Sequence, residues 1–173
     1  MAGDDGLEIE RKYLVRLVGD PRSAPGARSL ALRQVYLLDE GAAARRIRAT
    51  TVDGRTVHHL TVKEPIAPGV RREDEREIDA TAFAALEAQA DPARRAVVKE
   101  LIAVPHAGRT WEIDIFAGAL AGLVLAEVEL GSVAELDERL EPPACIAVVR
   151  DVTDDDDYGN AHLARLDAPP AAG

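Results

Sequence analysis

The chain has 173 residues and a formal net charge of −10, from 31 acidic and 21 basic side chains. Acidic chains are repelled by nucleic-acid backbones and by anionic membrane surfaces, so neither a nucleic-acid polymer nor a membrane is expected as a partner. The single cysteine, Cys145, excludes an internal disulfide framework and a cysteine-based zinc site.

Most of the chain is typical of short β-strands separated by turns. Strands are predicted over residues 7–17, 30–38, 44–52, 55–63, 70–79, 97–104, 110–116, 123–131 and 146–151. Asp53-Gly54 separates two of them and is a strong hairpin signal. Helices are predicted over 80–90, with Thr81 as a candidate N-cap, over 132–140, where Ser132 and Glu135 have capping-box spacing, and over 158–166.

This order of elements indicates one domain. Residues 1–166 are predicted to form it, and residues 167–173 are predicted to be a disordered tail. Many antiparallel strands with few helices predict a barrel or a sandwich with helices packed outside. Segment 1–6 lacks the basic and apolar regions of a signal peptide, and no apolar run approaches the roughly 20 residues of a spanning helix. The expected location is a reducing cytoplasm.

Seven of the predicted strands carry charged side chains at alternate positions, and therefore on one face. These rows are Glu8, Glu10 and Lys12; Arg46 and Arg48; Lys63 with Thr61 and His59; Glu73, Glu75 and Glu77; Lys99; Glu112 and Asp114; and Glu127 and Glu129. A solvated outer face is the simplest interpretation of one such row. Two strands contradict it, because Arg11 and Arg72 place charge on their other faces as well. One side of these strands must then face solvent and the other a hydrated interior.

The rows also segregate by sign, with basic residues in one strand and acidic residues in others. Carboxylates placed side by side in an enclosed space have raised pKa values and lower stability, which a multivalent cation would relieve. Aspartate and glutamate oxygens without histidine or cysteine favour Mg²⁺ or Mn²⁺. The four histidines, His58, His59, His106 and His162, show no ligand spacing, and surface positions are expected for His58 and His59. Basic residues opposite the cation would hold a multivalent anion.

The opening strand, with Glu8, Glu10 and Lys12, resembles the E-x-E-x-K signature of the CYTH proteins, the triphosphate tunnel metalloenzymes. Further matches follow in order along most of the chain: Arg46-Ile47-Arg48, the strand ending at Lys63, Glu75-Arg76-Glu77-Ile78, the strands of Glu112 and Asp114 and of Glu127 and Glu129, and a closing segment with Asp151, Val152, Thr153, Tyr158 and Asn160. The resemblance implies an α+β fold in which an eight-stranded antiparallel barrel encloses a polar tunnel, with a few helices packed outside.

The resemblance also implies roles for individual residues. Glu8, Glu10 and Glu129 would hold a first Mg²⁺ or Mn²⁺, while Asp114 and Glu127 would hold a second metal or orient the attacking water. Lys12, Arg46, Arg48, Lys63 and Lys99 would bind phosphates, with Lys63 also acting in catalysis beside Asp114 and Glu127. Glu75 and Glu77 would line the substrate site. Three positions depart from the family pattern, since Leu101, Glu73 and Asp157 stand where basic residues are usual.

These roles predict metal-dependent hydrolysis of a small triphosphate, either inorganic tripolyphosphate or a nucleoside triphosphate, by a monomer or homodimer. The chain lacks the G-x-x-x-x-G-K-[ST] loop, so a P-loop mechanism is excluded. Three alternatives remain open: a thiamine triphosphatase, an adenylate cyclase and a noncatalytic module that binds polyphosphate or nucleotide. Aromatic residues are only 3% of the chain, which disfavours base stacking, although Trp111 and Tyr36 are candidates for it.

Overall fold

The computed structural model describes residues 7–171. It contains nine β-strands: β1 (Leu7–Leu17), β2 (Arg28–Tyr36), β3 (Ala44–Val52), β4 (Arg55–Ala67), β5 (Val70–Ile78), β6 (Val97–His106), β7 (Arg109–Phe116), β8 (Val124–Glu129) and β9 (Ile146–Asp151). Two α-helices follow β5 and β9, α1 (Ala80–Glu87) and α2 (Asn160–Leu163). Short 3₁₀ turns cover Pro21–Ser23, Gly118–Leu120, Val133–Asp137 and Asp156–Tyr158. No helix within residues 7–171 is both long enough and apolar enough to cross a membrane.

Eight of the strands close into an antiparallel barrel, which confirms the predicted fold class. The hydrogen-bonded order is β5-β4-β3-β2-β6-β7-β8-β1, and β1 returns to β5. This closing seam is short, because it joins Leu7, Glu8 and Ile9 to Arg72, Arg71 and Val70. Farther along, β1 pairs with β9, from Tyr13 to Leu17. Strands β5 and β9 therefore pair with this edge of β1 in succession, and residues 10–12 lie between the two pairings.

The alternation of side chains separates a polar interior from an apolar exterior. The outward residues of β1, β6, β7 and β8 form a core with Trp111, Ile113 and Val128, on which Ile146 of β9 and Leu136 pack. A second core lies under α1, where Phe83 contacts the outward residues of β2, β3 and β4. Burial of these outer faces stabilises the barrel while its interior stays charged.

At one end the inward rows of five strands change from polar to apolar. The apolar residues lie two positions beyond Lys12, Gln34, Lys99, Asp114 and Glu127, and they are Leu14, Tyr36, Val97, Phe116 and Leu125. The C-terminal segment covers them with Val152, Tyr158, Leu163 and Ala164. These nine residues form what we call the apolar floor of the barrel.

The helices differ from the predictions more than the strands do. Helix α1 is confirmed but ends at Glu87, and its N-cap is Asp79, whose carboxylate accepts a 2.7 Å hydrogen bond from the Ala82 amide. The predicted helix over 132–140 is wrong, since only the 3₁₀ turn Val133–Asp137 forms there. The carboxylate of Glu135 pairs with Arg109 at 2.5 Å, and Ser132 provides no side-chain cap. The predicted helix over 158–166 is reduced to α2.

Candidate active site

The barrel encloses one cavity of about 920 Å³, which we call the lumen. Among the described residues, eight carboxylates and six cationic side chains line it. The carboxylates are those of Glu8, Glu10, Glu73, Glu75, Glu112, Glu127, Glu129 and Asp156, and the cations are those of Lys12, Arg46, Arg48, Lys63, Arg71 and Lys99. The strands project these groups inward because every second residue of a strand faces the same side.

Most of the residues chosen from the sequence meet in the lumen. Ten of them line it: Glu8, Glu10, Lys12, Arg46, Arg48, Lys63, Glu75, Lys99, Glu127 and Glu129. Asp114 lies just behind the wall, 1% exposed and bound to Lys99. Glu77 is the exception. It lies in register with His59, is exposed, and is not among the lining residues, so the structure does not bring it to the substrate site.

Sequence reasoning gave no role to four charged residues that line the lumen, namely Arg71, Glu73, Glu112 and Asp156. Arg71 bonds to Glu10, and Glu73 bonds to Lys63 from the neighbouring strand. Glu112 lies directly opposite Glu127 in the β7–β8 pair. The signal for Arg71 was its even spacing from Glu73 and Glu75, which places a guanidinium on their face of β5. The inward row of β5 therefore begins at Arg71, two residues before the start of the predicted row.

Opposite charges pair closely along the lumen wall. The pairs are Lys63 with Glu8 at 2.6 Å and with Glu73 at 2.8 Å, Arg71 with Glu10 at 2.5 Å, Lys12 with Glu127 at 2.9 Å, Arg48 with Glu75 at 3.0 Å, and Lys99 with Asp114. Each carboxylate in these pairs therefore has a cation beside it.

The acidic wall shows strong mutual repulsion. Burial, and then the charges of Glu127 and Asp114, raise the pKa of Glu112 to about 7. The Glu112 side chain is exposed to the lumen, yet the barrel wall surrounds it. Burial also raises the pKa of Asp114 to about 6, although Lys99 opposes the shift. Burial acts on Glu127 in the same direction, but Lys12 and Lys99 outweigh it and hold the Glu127 pKa well below its usual range. Glu127 thus remains ionised at neutral pH.

Two arginines on the basic side of the lumen have hydrogen-bond donors without an acceptor among the described residues. Arg46 is 8% exposed, and its guanidinium reaches the Gln34 side-chain oxygen only at 3.5 Å. The Nε atoms of Arg46 and Arg48 are buried and have no hydrogen-bond partner among the described residues. Buried N–H groups without acceptors are costly, so these two atoms are suited to binding the oxygens of an anion.

The donor set fits a hard divalent cation in chemistry but is not arranged as a preformed site. Among residues 7–171, no three histidine, cysteine or acidic side chains converge on one point. The acidic wall nevertheless offers only carboxylate oxygens, and Oδ1 of Asp114 is buried without a hydrogen-bond partner among the described residues. Of the histidines, His162 lines the lumen, whereas His58 packs on the Phe83 ring at 4.6 Å. Both His58 and His59 are half-buried, although surface positions were expected for them.

Two curated proteins share this sequence along nearly its full length. An inorganic triphosphatase from Acetivibrio thermocellus is 32% identical over 162 residues, which cover 92% of this chain and 94% of that protein. An inorganic triphosphatase from Nitrosomonas europaea is 31% identical over 157 residues, covering 91% and 96%. The chain belongs to the family of these inorganic triphosphatases. No sequence model of a protein family matches it.

Solved structures extend the similarity to the inorganic triphosphatase fold. The crystal structure of the inorganic triphosphatase NE1496 matches with a TM-score of 0.61 and 30% identity, over 94% of this chain and 97% of that one. The structure of protein PH1819 from Pyrococcus horikoshii matches with a TM-score of 0.57 and 22% identity, over 75% and 81%. The second match shows the shared fold alone.

Of the three departures from the family pattern, Leu101 and Glu73 line the lumen of this inorganic triphosphatase relative, whereas Asp157 does not. Leu101 lines it, in register with the buried Asp114. Of the acidic run 154–157, Asp156 lines the lumen, whereas Asp157 is exposed and lies 3.7 Å from the His162 imidazole. At Glu73 the missing cation is replaced from nearby, because Arg71, two residues earlier, supplies a guanidinium to the lumen. The loss of cations is therefore confined to the C-terminal side and to β6.

Proposed function

We propose that this protein hydrolyses a small inorganic triphosphate within the barrel lumen, with the help of a divalent cation. The observation that carries the proposal is the lumen itself, a closed barrel in which basic and acidic walls face one another across a single cavity. The relationship to two inorganic triphosphatases supports tripolyphosphate as the substrate class. We also propose that the chain is a CYTH protein, on the order of its charged motifs around this barrel.

The basic residues would bind the phosphate chain. Arg46 and Arg48 present unbonded Nε atoms, and a guanidinium can hold two nonbridging oxygens at once. Lys12, Lys63 and Lys99 would neutralise the remaining oxygens, with Lys63 offsetting charge that develops on the leaving group. Their present carboxylate partners stand where phosphate oxygens would bind.

The acidic residues would hold the cation and position water. Glu8, Glu10 and Glu129 are proposed as ligands of Mg²⁺ or Mn²⁺, and Asp114 and Glu127 as ligands of a second ion or as hydrogen-bond acceptors for the attacking water. When bound, a divalent cation supplies charge neutralisation on the phosphate oxygens. Glu127 suits the role of acceptor because its lowered pKa keeps it ionised.

Charge balance supports dependence on a metal ion. Carboxylates outnumber cationic side chains among the described lining residues, so the side chains by themselves give the lumen a negative charge that repels a polyanion. Cations bound at the acidic wall would reverse this local field. The same argument makes binding of a bare triphosphate unfavourable.

Placement of the aromatic residues favours an inorganic substrate over a nucleotide. Trp111 lies on the outer face of β7, 1% exposed, and its ring stacks on Tyr13 at 5.6 Å. Tyr36 is the one Phe, Tyr or Trp among the described lining residues, and it is 3% exposed in the apolar floor. Neither ring is available for stacking on a base, which disfavours an adenylate cyclase or a thiamine triphosphatase.

A direct assay separates the candidate functions. Purified protein is incubated with tripolyphosphate, ATP or thiamine triphosphate, with and without Mg²⁺ or Mn²⁺, and phosphate, pyrophosphate and cyclic nucleotide are measured. We expect phosphate and pyrophosphate from tripolyphosphate, only with metal, and their loss in Glu127→Gln but not in Glu77→Gln. Retained tripolyphosphate-dependent thermal stabilisation without any product would instead indicate a binding module. Cyclic nucleotide from ATP would indicate a cyclase.

Two further features remain part of the proposal. A reducing cytoplasm is proposed from the single cysteine. A monomer or homodimer is proposed as the assembly, which sedimentation analysis would determine.

A further inference from the structure

Strand β1 lacks a partner strand on one edge at the point where two of its side chains enter the lumen. The β5 pairing ends at Ile9, and the β9 pairing begins at Tyr13. Glu10 and Lys12 lie in between, and both line the lumen. Backbone groups left without a partner would make this segment the least constrained part of the wall.

Between Ile9 and Tyr13, residues outside the strands form the hydrogen bonds to this edge of the β1 backbone. The Glu10 amide donates to the Gly69 carbonyl at 3.0 Å, in the turn between β4 and β5. The Lys12 amide donates to the Thr153 hydroxyl oxygen at 3.1 Å, and the Lys12 carbonyl accepts from the Val152 amide at 2.9 Å. A side-chain hydroxyl thus replaces the carbonyl that a neighbouring strand would have provided.

The hydroxyl of Thr153 is itself held in one orientation. The hydroxyl donates to Oδ1 of Asp151 at 2.6 Å, and the same Oδ1 accepts from the Thr153 amide at 2.9 Å. The other carboxylate oxygen of Asp151 accepts from the Arg11 guanidinium at 2.5 Å. With its proton directed to Asp151, the hydroxyl presents a lone pair to the Lys12 amide.

The methyl group of Thr153 contacts the second support of the gap. Gly69 has φ +69, and a Cβ added there would lie 3.1 Å from the Thr153 methyl carbon and 3.0 Å from the Glu10 carbonyl oxygen. The turn between β4 and β5 is therefore packed directly on Thr153 and on the β1 backbone. Thr153 joins three parts of the chain that are far apart in sequence.

We propose that Asp151 and Thr153 are positioning residues for the substrate site, acting through the backbone of Glu10 and Lys12. The inference rests on the proposed function, because it assigns Glu10 to the metal and Lys12 to phosphate. By fixing the β1 backbone where it lacks a strand, the two residues direct Glu10 towards Arg71 and Lys12 towards Glu127. Neither Asp151 nor Thr153 is among the lining residues.

Two substitutions at Thr153 separate the hydroxyl from the shape of the side chain. Thr153→Val keeps the shape and removes the hydroxyl, whereas Thr153→Ser keeps the hydroxyl and removes the methyl group. Thr51→Val is the matched control, because the Thr51 hydroxyl makes an exposed 2.8 Å hydrogen bond to Thr56 far from the lumen. Kinetics with tripolyphosphate and Mg²⁺ are measured well below the melting temperature of each variant.

We expect Thr153→Val to lower kcat/KM about tenfold, because an unsatisfied buried amide loosens Lys12. The loss should appear mainly in KM and in the Mg²⁺ concentration for half-maximal rate, and Thr153→Ser should restore most of it. Hydrogen exchange at the Lys12 amide, followed by NMR, should accelerate about tenfold in Thr153→Val alone.

Several results would overturn the proposal. Wild-type kcat/KM in Thr153→Val, or an equal loss in Thr153→Ser, would show that the hydroxyl does not position the site. An unchanged Lys12 exchange rate would do the same. If the wild-type protein hydrolyses no triphosphate, the proposed function fails on its own. The exchange rate, with tripolyphosphate binding by calorimetry, then still decides whether the hydroxyl holds β1.

Discussion

The ammonium group of Lys99 and the carboxylate of Asp114 form an ion pair almost wholly removed from solvent, with the two residues 5% and 1% exposed. The pair lies directly above the apolar floor, where the Lys99 ammonium is 5.4 Å from the centre of the Phe116 ring. A charge buried at this depth depends on its partner, because desolvation is expensive for either group alone.

Removal of one partner should therefore be strongly destabilising. We expect Lys99→Met to lower the free energy of unfolding by about 3 kcal/mol or more, and the double variant Lys99→Met with Asp114→Asn to recover part of that loss. Urea denaturation measures both. The exposed Arg33–Glu87 pair provides the control, since Arg33→Met should change stability by less than about 1 kcal/mol. Similar losses for Lys99→Met and Arg33→Met would contradict the burial argument.

The acidic wall should make stability depend on pH in the absence of metal. The pKa values of Glu112 and Asp114 are raised in the folded state to about 7 and about 6, from ordinary values of 4.5 and 3.8. The folded protein then binds more protons than the unfolded chain, so this contribution to stability is present at low pH and is lost as pH rises through about 7.

Melting temperatures between pH 5 and pH 8 in a chelator test this sign. We expect the wild type to lose stability over that range and Glu112→Gln, which cannot ionise, to lose less. The exposed Glu77→Gln should retain the wild-type slope. Identical slopes in the wild type and Glu112→Gln would show that Glu112 does not titrate as proposed.

Metal and triphosphate should bind cooperatively, because the ion pairs link their proposed ligands. Lys63, Arg71 and Lys12 are bonded to carboxylates assigned to the metal. A cation that takes those carboxylates frees the ammonium and guanidinium groups for phosphate, and linkage makes the effect reciprocal. We expect the Kd of a nonhydrolysable methylene-bridged triphosphate to be at least about tenfold higher in chelator than at saturating Mg²⁺. Equal values by calorimetry would rule out this exchange.

Two glutamates of β5 with the same spacing should differ in effect. Glu75 accepts from Arg48 at 3.0 Å and from Thr61 at 2.8 Å, whereas Glu77 is exposed outside the lumen. We expect Glu75→Gln to change KM for tripolyphosphate at least about threefold, because it alters the charge beside Arg48. Glu77→Gln should leave KM within about twofold of the wild type. Equal effects would mean that Glu77 also reaches the substrate.

Gly69 should be far less replaceable than another glycine of similar conformation. Gly54 has φ +76 and nothing within 4 Å of an added Cβ, while Gly69 combines φ +69 with contacts at 3.0 Å to Glu10 and Leu136. We expect Gly54→Ala to cost about 1 kcal/mol from backbone strain, and Gly69→Ala about 2 kcal/mol more from the clash. Chemical denaturation distinguishes them. Equal losses would indicate that the turn can move away from β1.

The interior was predictable wherever charged and apolar residues alternate cleanly. Glu127 and Glu129 alternate with Ala126, Val128 and Leu130, so one face had to be the polar one. Strand β5 offers no such contrast, because residues 71–77 are all charged. Alternation alone cannot say where its inward row begins and ends, and only the pairing of Arg71 with Glu8 sets that limit. The sequence pattern therefore places Glu77 in the predicted row and omits Arg71 from it.

Local signals failed where a tertiary contact competed for the same side chain. Ser132 and Glu135 have capping-box spacing, but Arg109 on β7 takes the Glu135 carboxylate, and no α-helix forms. The apolar floor was invisible for a related reason. Tyr158 and Leu163 lie far along the chain from Leu14, and no period in the sequence announces their contact.

The order of the strands has a consequence for how the protein is made. Of the nine strands described, β1 leaves the ribosome first, yet it pairs with β8 and β9, which leave it after the other six. The barrel cannot close until β8 has been synthesised, and the apolar floor cannot be covered until Leu163 and Ala164 have been synthesised. A nascent chain must therefore carry exposed strand edges until then, and this topology, dominated by distant pairings, favours slow folding.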